Sequence, residues 1–277
     1  FLDKLGRILD PTVGLQNRHR SSRRLGPFPT INHPNQMKTK IIFGDDTINE
    51  LGSLCDKLGQ SAILVSGKSS MENGRVDLIK KNLKKYNISL CVFNRVTSDP
   101  TVHHVNKIIN LCKINNVDMM ISIGGGSVID ATKAAGMIFK NGGKTEDYIK
   151  GIVKVGNESL PHIAIPTTSG TGSELSKGAI ISWPEKNIKT GIRGNSILPT
   201  IAIVDPLLTL SLPIDQIKIT GFDCFSHAVE TYISKLANPL TAIYSATAIN
   251  SVVKYLPIAI SDPENIEARN QLSFNSM

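Results

Sequence analysis

The sequence is short of acid, of aromatic rings and of paired cysteines. Against 31 Lys and Arg stand only 23 Asp and Glu, a formal net charge of +8. Half of that excess sits in residues 1–36, where Lys4, Arg7, Arg18, Arg20, Arg23 and Arg24 face Asp3 and Asp10. The rest is spread thinly, and with aromatics at 5% of the chain no basic stripe is interleaved with rings. Nucleic acid is therefore not expected as a partner. Cys55, Cys91, Cys112 and Cys224 have no paired spacing and follow no secretory signal, so they read as reduced thiols of a cytoplasmic protein. No apolar run reads as long enough to cross a bilayer, so no membrane is expected. What is present is 40% hydrophobic and 19% charged residues over 277 positions, enough for one large or two ordinary domains.

Residues 1–36 are rich in Arg, Pro and Asn without periodicity, and read as a disordered or non-native extension. An Arg-rich transit peptide is the alternative. From Lys38 the chain alternates. Short β-rich runs fall at 40–43, 61–66, 89–93, 119–123, 162–166, 179–182 and 201–205. Helical patterns fill 48–58, 76–86, 102–115 and 128–139. Strands alternating with helices predict an α/β domain over 37–210, a parallel sheet covered on both faces. After Pro213 only helical patterns follow, so an all-helical domain is expected over 211–277. The pattern starting at Ile266 reaches Met277 with no C-cap glycine, and reads as an incomplete domain.

Three stretches could carry chemistry. The first is Ile121-Ser-Ile-Gly-Gly-Gly-Ser-Val-Ile-Asp130, an apolar strand that breaks into Gly124, Gly125, Gly126 and Ser127 and runs straight into a small-residue helix. Glycines let backbone approach a ligand, and the free N–H groups of a first helical turn favour an anion. Asp130, one turn in, is placed to accept a ribose hydroxyl. The second is Pro166-Thr-Thr-Ser-Gly-Thr-Gly-Ser-Glu174, where Thr167, Thr168 and Thr171 could bond a cofactor lying across the strand ends. The third is Gly221-Phe-Asp-Cys-Phe-Ser-His-Ala-Val-Glu230, in which Asp223 and His227 share a helix face with Cβ atoms roughly 5–6 Å apart. Each also has a plain reading: a ligand-free βα turn, a loop that satisfies its own backbone, and an ordinary Asp–His pair. Gly67-Lys68-Ser69 mimics the end of a P-loop, but Ala62 stands where that motif needs glycine, and the intervening residues are strand-like.

Taken together and in this order, the three stretches resemble the iron-containing (group III) alcohol dehydrogenases, from about Met37 to the last residue. The resemblance implies a Rossmann-like dinucleotide-binding domain followed by a helical metal-binding domain. The activity it implies is hydride transfer between an alcohol or aldehyde and NAD or NADP. It matches Gly125, Gly126 and Ser127 to the pyrophosphate loop, and Thr167, Thr168 and Thr171 to the loop along the adenine and nicotinamide ends. Lys189 falls on a cofactor-contacting lysine, and Asp223 and His227 fall on the first two ligands of Fe²⁺, with Zn²⁺ as the other candidate. Gly67, with Lys68 and Ser69 beside it, stands where NAD-preferring members often carry an acid, which favours NADP. The family's further histidines, two metal ligands and a proton relay, have no counterpart, because His19, His33, His103, His104 and His162 all precede His227. A chain that holds metal poorly and has impaired activity is therefore expected. His103 and His104 read as solvent-facing and His162 as structural. A glycerol-phosphate dehydrogenase or dehydroquinate synthase relative and a non-catalytic nucleotide-binding remnant are the alternatives. A homodimer is left open.

Overall fold

The computed structural model describes residues 39–277, so the expected extension at 1–36 lies outside the described residues. The strands in chain order are β1 (Lys40–Phe43), β2 (Ser61–Ser66), β3 (Ser89–Phe93), β4 (Met119–Gly124), β5 (His162–Pro166), β6 (Gly178–Trp183), β7 (Ile188–Arg193) and β8 (Ile201–Val204). The helices are α1 (Leu51–Cys55), α2 (Lys68–Glu72), α3 (Arg75–Lys84), α4 (Val102–Ile114), α5 (Gly126–Asn141), α6 (Thr145–Ile149), α7 (Ile214–Ile233), α8 (Pro239–Ser261) and α9 (Ile266–Asn275).

Six strands form one sheet in the order β1-β8-β5-β4-β2-β3, every neighbouring pair parallel. Alternation along each strand divides the core in two. Ile63 and Val65 face one side with Met120, Val105, Ile108 and Ala135. Ala62 and Leu64 face the other with Ile121, Ile123, Val76 and Ile79. Both faces of the inner strands β2, β4, β5 and β8 are buried, and for that reason these strands are largely apolar runs in the sequence.

One expected strand of this sheet lies elsewhere. The run at 179–182 belongs to β6, which pairs antiparallel with β7 in a separate two-stranded sheet. Only Pro184 to Asn187 separate the two strands, with Asn187 in the left-handed region at φ 51°. A link that short closes a hairpin and cannot cross over to a parallel neighbour.

The direction of winding reverses between β2 and β4. The helix after β2, α3, packs on one face, and α4, which leads into β4, packs on the other. Open α/β sheets take ligands beyond the carboxyl ends of their strands at such a reversal. Gly67 and the three glycines from Gly124 stand at those two ends.

From Ile214 onward the chain is helical. Its own small core gathers Ile217, Cys224, Val252, Leu256, Ala259 and Leu272 from α7, α8 and α9. One expectation is corrected here: α8 has 23 residues and an 18-residue window of mean hydropathy 1.2, long and apolar enough by length and composition to cross a membrane. Ser, Thr, Asn and one Lys scattered among its apolar residues hide this in a reading by runs. In the fold α8 packs between α7 and α9, with 28% of that window buried.

Candidate functional site

The glycine turn and the hydroxyl loop meet at the ends of β4 and β5. Thr167 N–H donates to the Gly124 carbonyl at 3.0 Å, extending the ladder one step past the strands. A Cβ on Gly126 would lie 2.7 Å from Thr171 Oγ1, and one on Gly125 would touch Thr168 at 3.4 Å. On Gly124 it would lie 2.7 Å from Val128 Cγ2. Glycine therefore lets α5 begin directly under the loop. Gly126 and Ser127 open that helix, where no carbonyl lies a turn earlier to accept from their amides. Gly125, Gly126 and Ser127 are half-buried, Thr168 is half-buried, Thr171 is exposed and Thr167 is buried.

Gly67 joins this cleft from β2, since a Cβ there would lie 3.2 Å from the Val96 carbonyl and 4.0 Å from Val128. It caps α2 without a side chain, and Ser69 is exposed one residue into that helix. Lys68 leans on Glu72 at 3.4 Å, both largely exposed. Next to Gly67, the hydroxyl of Ser66 is buried with no hydrogen-bond partner among the described residues. A cradle without side chains, free helix-opening amides and an orphaned hydroxyl together fit a dinucleotide's diphosphate and ribose.

Two expected ligand contacts are otherwise engaged. Asp130 accepts from the Ser173 hydroxyl and, at 2.8 Å, from Ile180 N–H, and pairs with Lys133 at 3.0 Å. Its carboxylate ties α5 to β6. Lys189, on the exposed strand β7, pairs with Asp99 and has to leave that carboxylate to reach a ligand. Of the histidines, His103 is exposed and bonds Glu185 at 2.6 Å. His104 is half-buried and only partly solvent-facing: its ring accepts Thr101 N–H at 3.1 Å as part of the α4 cap, and burial lowers its pKa. His162 is buried and structural, bonded to Ser122 Oγ at 2.8 Å, and burial pushes its pKa down to about 3.

Sequence reading missed Lys133 and Glu174. Lys133 is fully buried, and Glu174 beside it is buried with its carboxyl pushed up to about 7, chiefly by desolvation. The signal was available only as a lysine among the small apolar residues of α5.

The helical part reaches the same loop. A Cβ on Gly170 would lie 2.7 Å from the Thr220 carbonyl of α7, and one on Gly172 would lie 2.9 Å from the Ser276 carbonyl. Ser169 and Ser273 share a hydrogen bond of 2.8 Å. Between loop and helices lies a cleft of about 350 Å³, with Thr171, His227, Tyr244 and Asn275 in its wall. On α7 the Asp223 carboxylate and His227 Nε2 are 3.6 Å apart and both solvent-accessible. They fit a divalent metal as two ligands on one face, but no group of three or more His, Cys, Asp or Glu occurs among the described residues.

Fold and site together define a Rossmann-like α/β protein with a helical region docked on its ligand loop. Residues 38–206 match the iron-containing alcohol dehydrogenases and residues 217–277 match that family's C-terminal domain, so the chain belongs to this family. It is 33% identical over 234 residues to an NAD-dependent methanol dehydrogenase of Bacillus methanolicus, covering 84% of this chain and 61% of that one. Alcohol dehydrogenase 4 of Schizosaccharomyces pombe is 34% identical over 264 residues, covering 95% and 61%. The crystal structure of sulfoacetaldehyde reductase from Bifidobacterium kashiwanohense in complex with NAD⁺ superposes with a TM-score of 0.83 at 30% identity, covering 89% of this chain and 65% of that one. The chain thus spans about 61% of the length of these curated relatives.

Proposed function

We propose that this protein is an NAD(P)-dependent, metal-dependent oxidoreductase acting on a small alcohol or aldehyde. The observation that carries the reading is the close approach of Gly126 to the Thr171 side chain beside the winding reversal, with the amides of Gly126 and Ser127 free at the start of α5. Those amides hold the dinucleotide's diphosphate, while Thr167, Thr168 and Thr171 line its path toward β5. The nicotinamide supplies the hydride chemistry, and the protein supplies position. NAD is favoured by the NAD-dependent relatives, whereas the lack of an acid at Gly67 to Ser69 leaves room for a 2′-phosphate.

Asp223 and His227 would hold iron, or zinc in its place, as two of its ligands, and a bound metal of this kind stabilises an alkoxide as a Lewis acid. The described residues offer no complete set of donors for it. The unpaired thiols of Cys55, Cys91, Cys112 and Cys224 support a cytoplasmic location.

The test is titration of NADH and NADPH into the ¹⁵N-labelled chain. Saturable shifts of the Gly126, Ser127 and Val128 amides are expected, with the tighter dinucleotide naming the cofactor. Amides that stay unmoved in a folded sample overturn the reading. Turnover of primary alcohols against glycerol phosphate then separates the alcohol dehydrogenases from their glycerol-phosphate relatives.

A further inference from the structure

Arg75 opens α3 with only 7% of its surface exposed. No carboxylate lies within ion-pair distance of it among the described residues, and burial lowers its pKa. A guanidinium taken out of water without an acid is costly, and a Leu or Met in its place would carry no such penalty. Its partners are neutral oxygens: Nη2 donates to the Leu208 carbonyl and to the Ser211 hydroxyl. Asn73 Nδ2 donates to that same hydroxyl at 3.4 Å. A planar fork held by a carbonyl and a hydroxyl fixes direction as well as distance.

The segment so held, 205–213, carries the chain from the sheet to the helices. Leu208 packs on the core of the α3 face of the sheet, and Leu212 packs on the core of α7, α8 and α9. The start of this joint is set by Asp205, whose carboxylate accepts from Leu207 N–H at 3.1 Å and from Ile48 N–H at 3.2 Å. Its far end, exposed Ser211, is set by Arg75 and Asn73. In the other direction Arg75 leads to the cleft. Gly67 caps α2, and Ser70 of that helix donates to the Ile123 carbonyl at 3.3 Å, one residue before Gly124. Asn73 and Gly74, the latter left-handed at φ 70°, then turn the chain at once into α3. A helix of five residues thus stands with one end on the winding reversal and the other on the joint.

We propose that Arg75 is a positioning residue that couples the dinucleotide cleft to the joint from which α7 starts. A dinucleotide settling against Gly67 and the glycine turn shifts α2 as a unit, and the Arg75 fork carries that shift to Leu208 and Ser211. Asp223 and His227 ride on the helix so placed. The proposal rests on the dinucleotide reading above.

The test is amide hydrogen exchange on the full chain, wild type and Arg75→Met, without NADH and at NADH concentrations that fluorescence shows to saturate each. The reporters are Leu210, Leu212, Gln216 and Ile217, whose amides donate within the joint and the first turn of α7. In wild type NADH should slow their exchange by about fivefold or more, the lower end of coupling between sites. In Arg75→Met they should exchange about tenfold faster without ligand, the loss of a charge-assisted contact, and bound NADH should no longer slow them. A merely structural arginine would raise the baseline and leave the response to NADH intact, and that result overturns the proposal. If Arg75→Met does not fold or does not bind NADH, Ser211→Ala, at an exposed position, removes one partner of the fork and decides by the same readouts. A wild type that binds NADH with no change at these amides overturns the coupling alone, whereas a wild type that binds no dinucleotide overturns the reading above together with it.

Discussion

Replacing Glu174 by Gln should change how stability depends on pH, by an amount the fold specifies. The carboxyl is buried, and desolvation raises its pKa from 4.5 to about 7 against the opposing pull of Lys133. Below 4.5 the group is protonated whether the chain is folded or unfolded, and it contributes no slope. Between 4.5 and about 7 the unfolded chain ionises while the folded one keeps its proton, so stability falls as pH rises through this window. Above about 7 both states are ionised and the loss is complete, roughly 3 kcal/mol for a shift of this size. Glutamine fills the same space and cannot ionise. Urea unfolding of wild type and Glu174→Gln at intervals from pH 4 to pH 8 is the assay. The variant should gain about 3 kcal/mol on wild type between the two ends, and any constant offset from altered contacts drops out of that difference. Curves that stay parallel across the range would refute the claim that this carboxyl is held away from water.

His162→Gln should act on the acid side. The folded imidazole stays neutral down to about 3 while the unfolded one protonates from 6.5, so wild type loses stability as pH falls through that interval, up to roughly 5 kcal/mol. Glutamine can still bond Ser122, and acid unfolding followed by circular dichroism should shift to lower pH; an unchanged midpoint contradicts it. Gly170→Ala sets a methyl 2.7 Å from the Thr220 carbonyl, a backbone atom that cannot rotate away. A loss of about 1–3 kcal/mol is expected in thermal melts, and a melt identical to wild type would contradict the close approach. Dialysis against Fe²⁺ or Zn²⁺ should show binding that falls on His227→Ala, and retention unaffected by that change would remove Asp223 and His227 from the metal's ligands.

The centre of the sheet was legible because its inner strands are buried on both faces. Ile63 and Leu64 point to opposite sides and neither touches water, so β2 appears as an unbroken apolar run between turn residues. In β7, Ile188-Lys-Thr-Gly-Ile-Arg mixes charge and glycine on a hairpin with solvent on one side, and no comparable run betrays it. The glycine turn was legible for a local reason, since a strand, a bend and a helix follow within a few residues. The ties of Asp130 were not legible because its partners, Ser173 and Ile180, are 43 and 50 residues distant and enter only through the tertiary fold. Lys133 was missed for the same reason: burial of an ammonium makes sense only with Ser173 and Ser176 in place.

Gly170 and Gly172 have a mechanical consequence. At both positions main chain lies against main chain, and Ser169 to Ser273 adds a hydrogen bond across the same seam. With no side chain in between to flex, the helical layer has no slack with which to swing off the sheet while the 167–173 segment keeps its shape. The β6–β7 hairpin is held differently, by Ala179, Ile181 and Ile192 in the core, by Ile180 N–H on Asp130 and by Ser182 N–H on the Pro100 carbonyl, with the exposed Asp99–Lys189 pair at its edge. Salt would screen that exposed pair and leave the seam untouched.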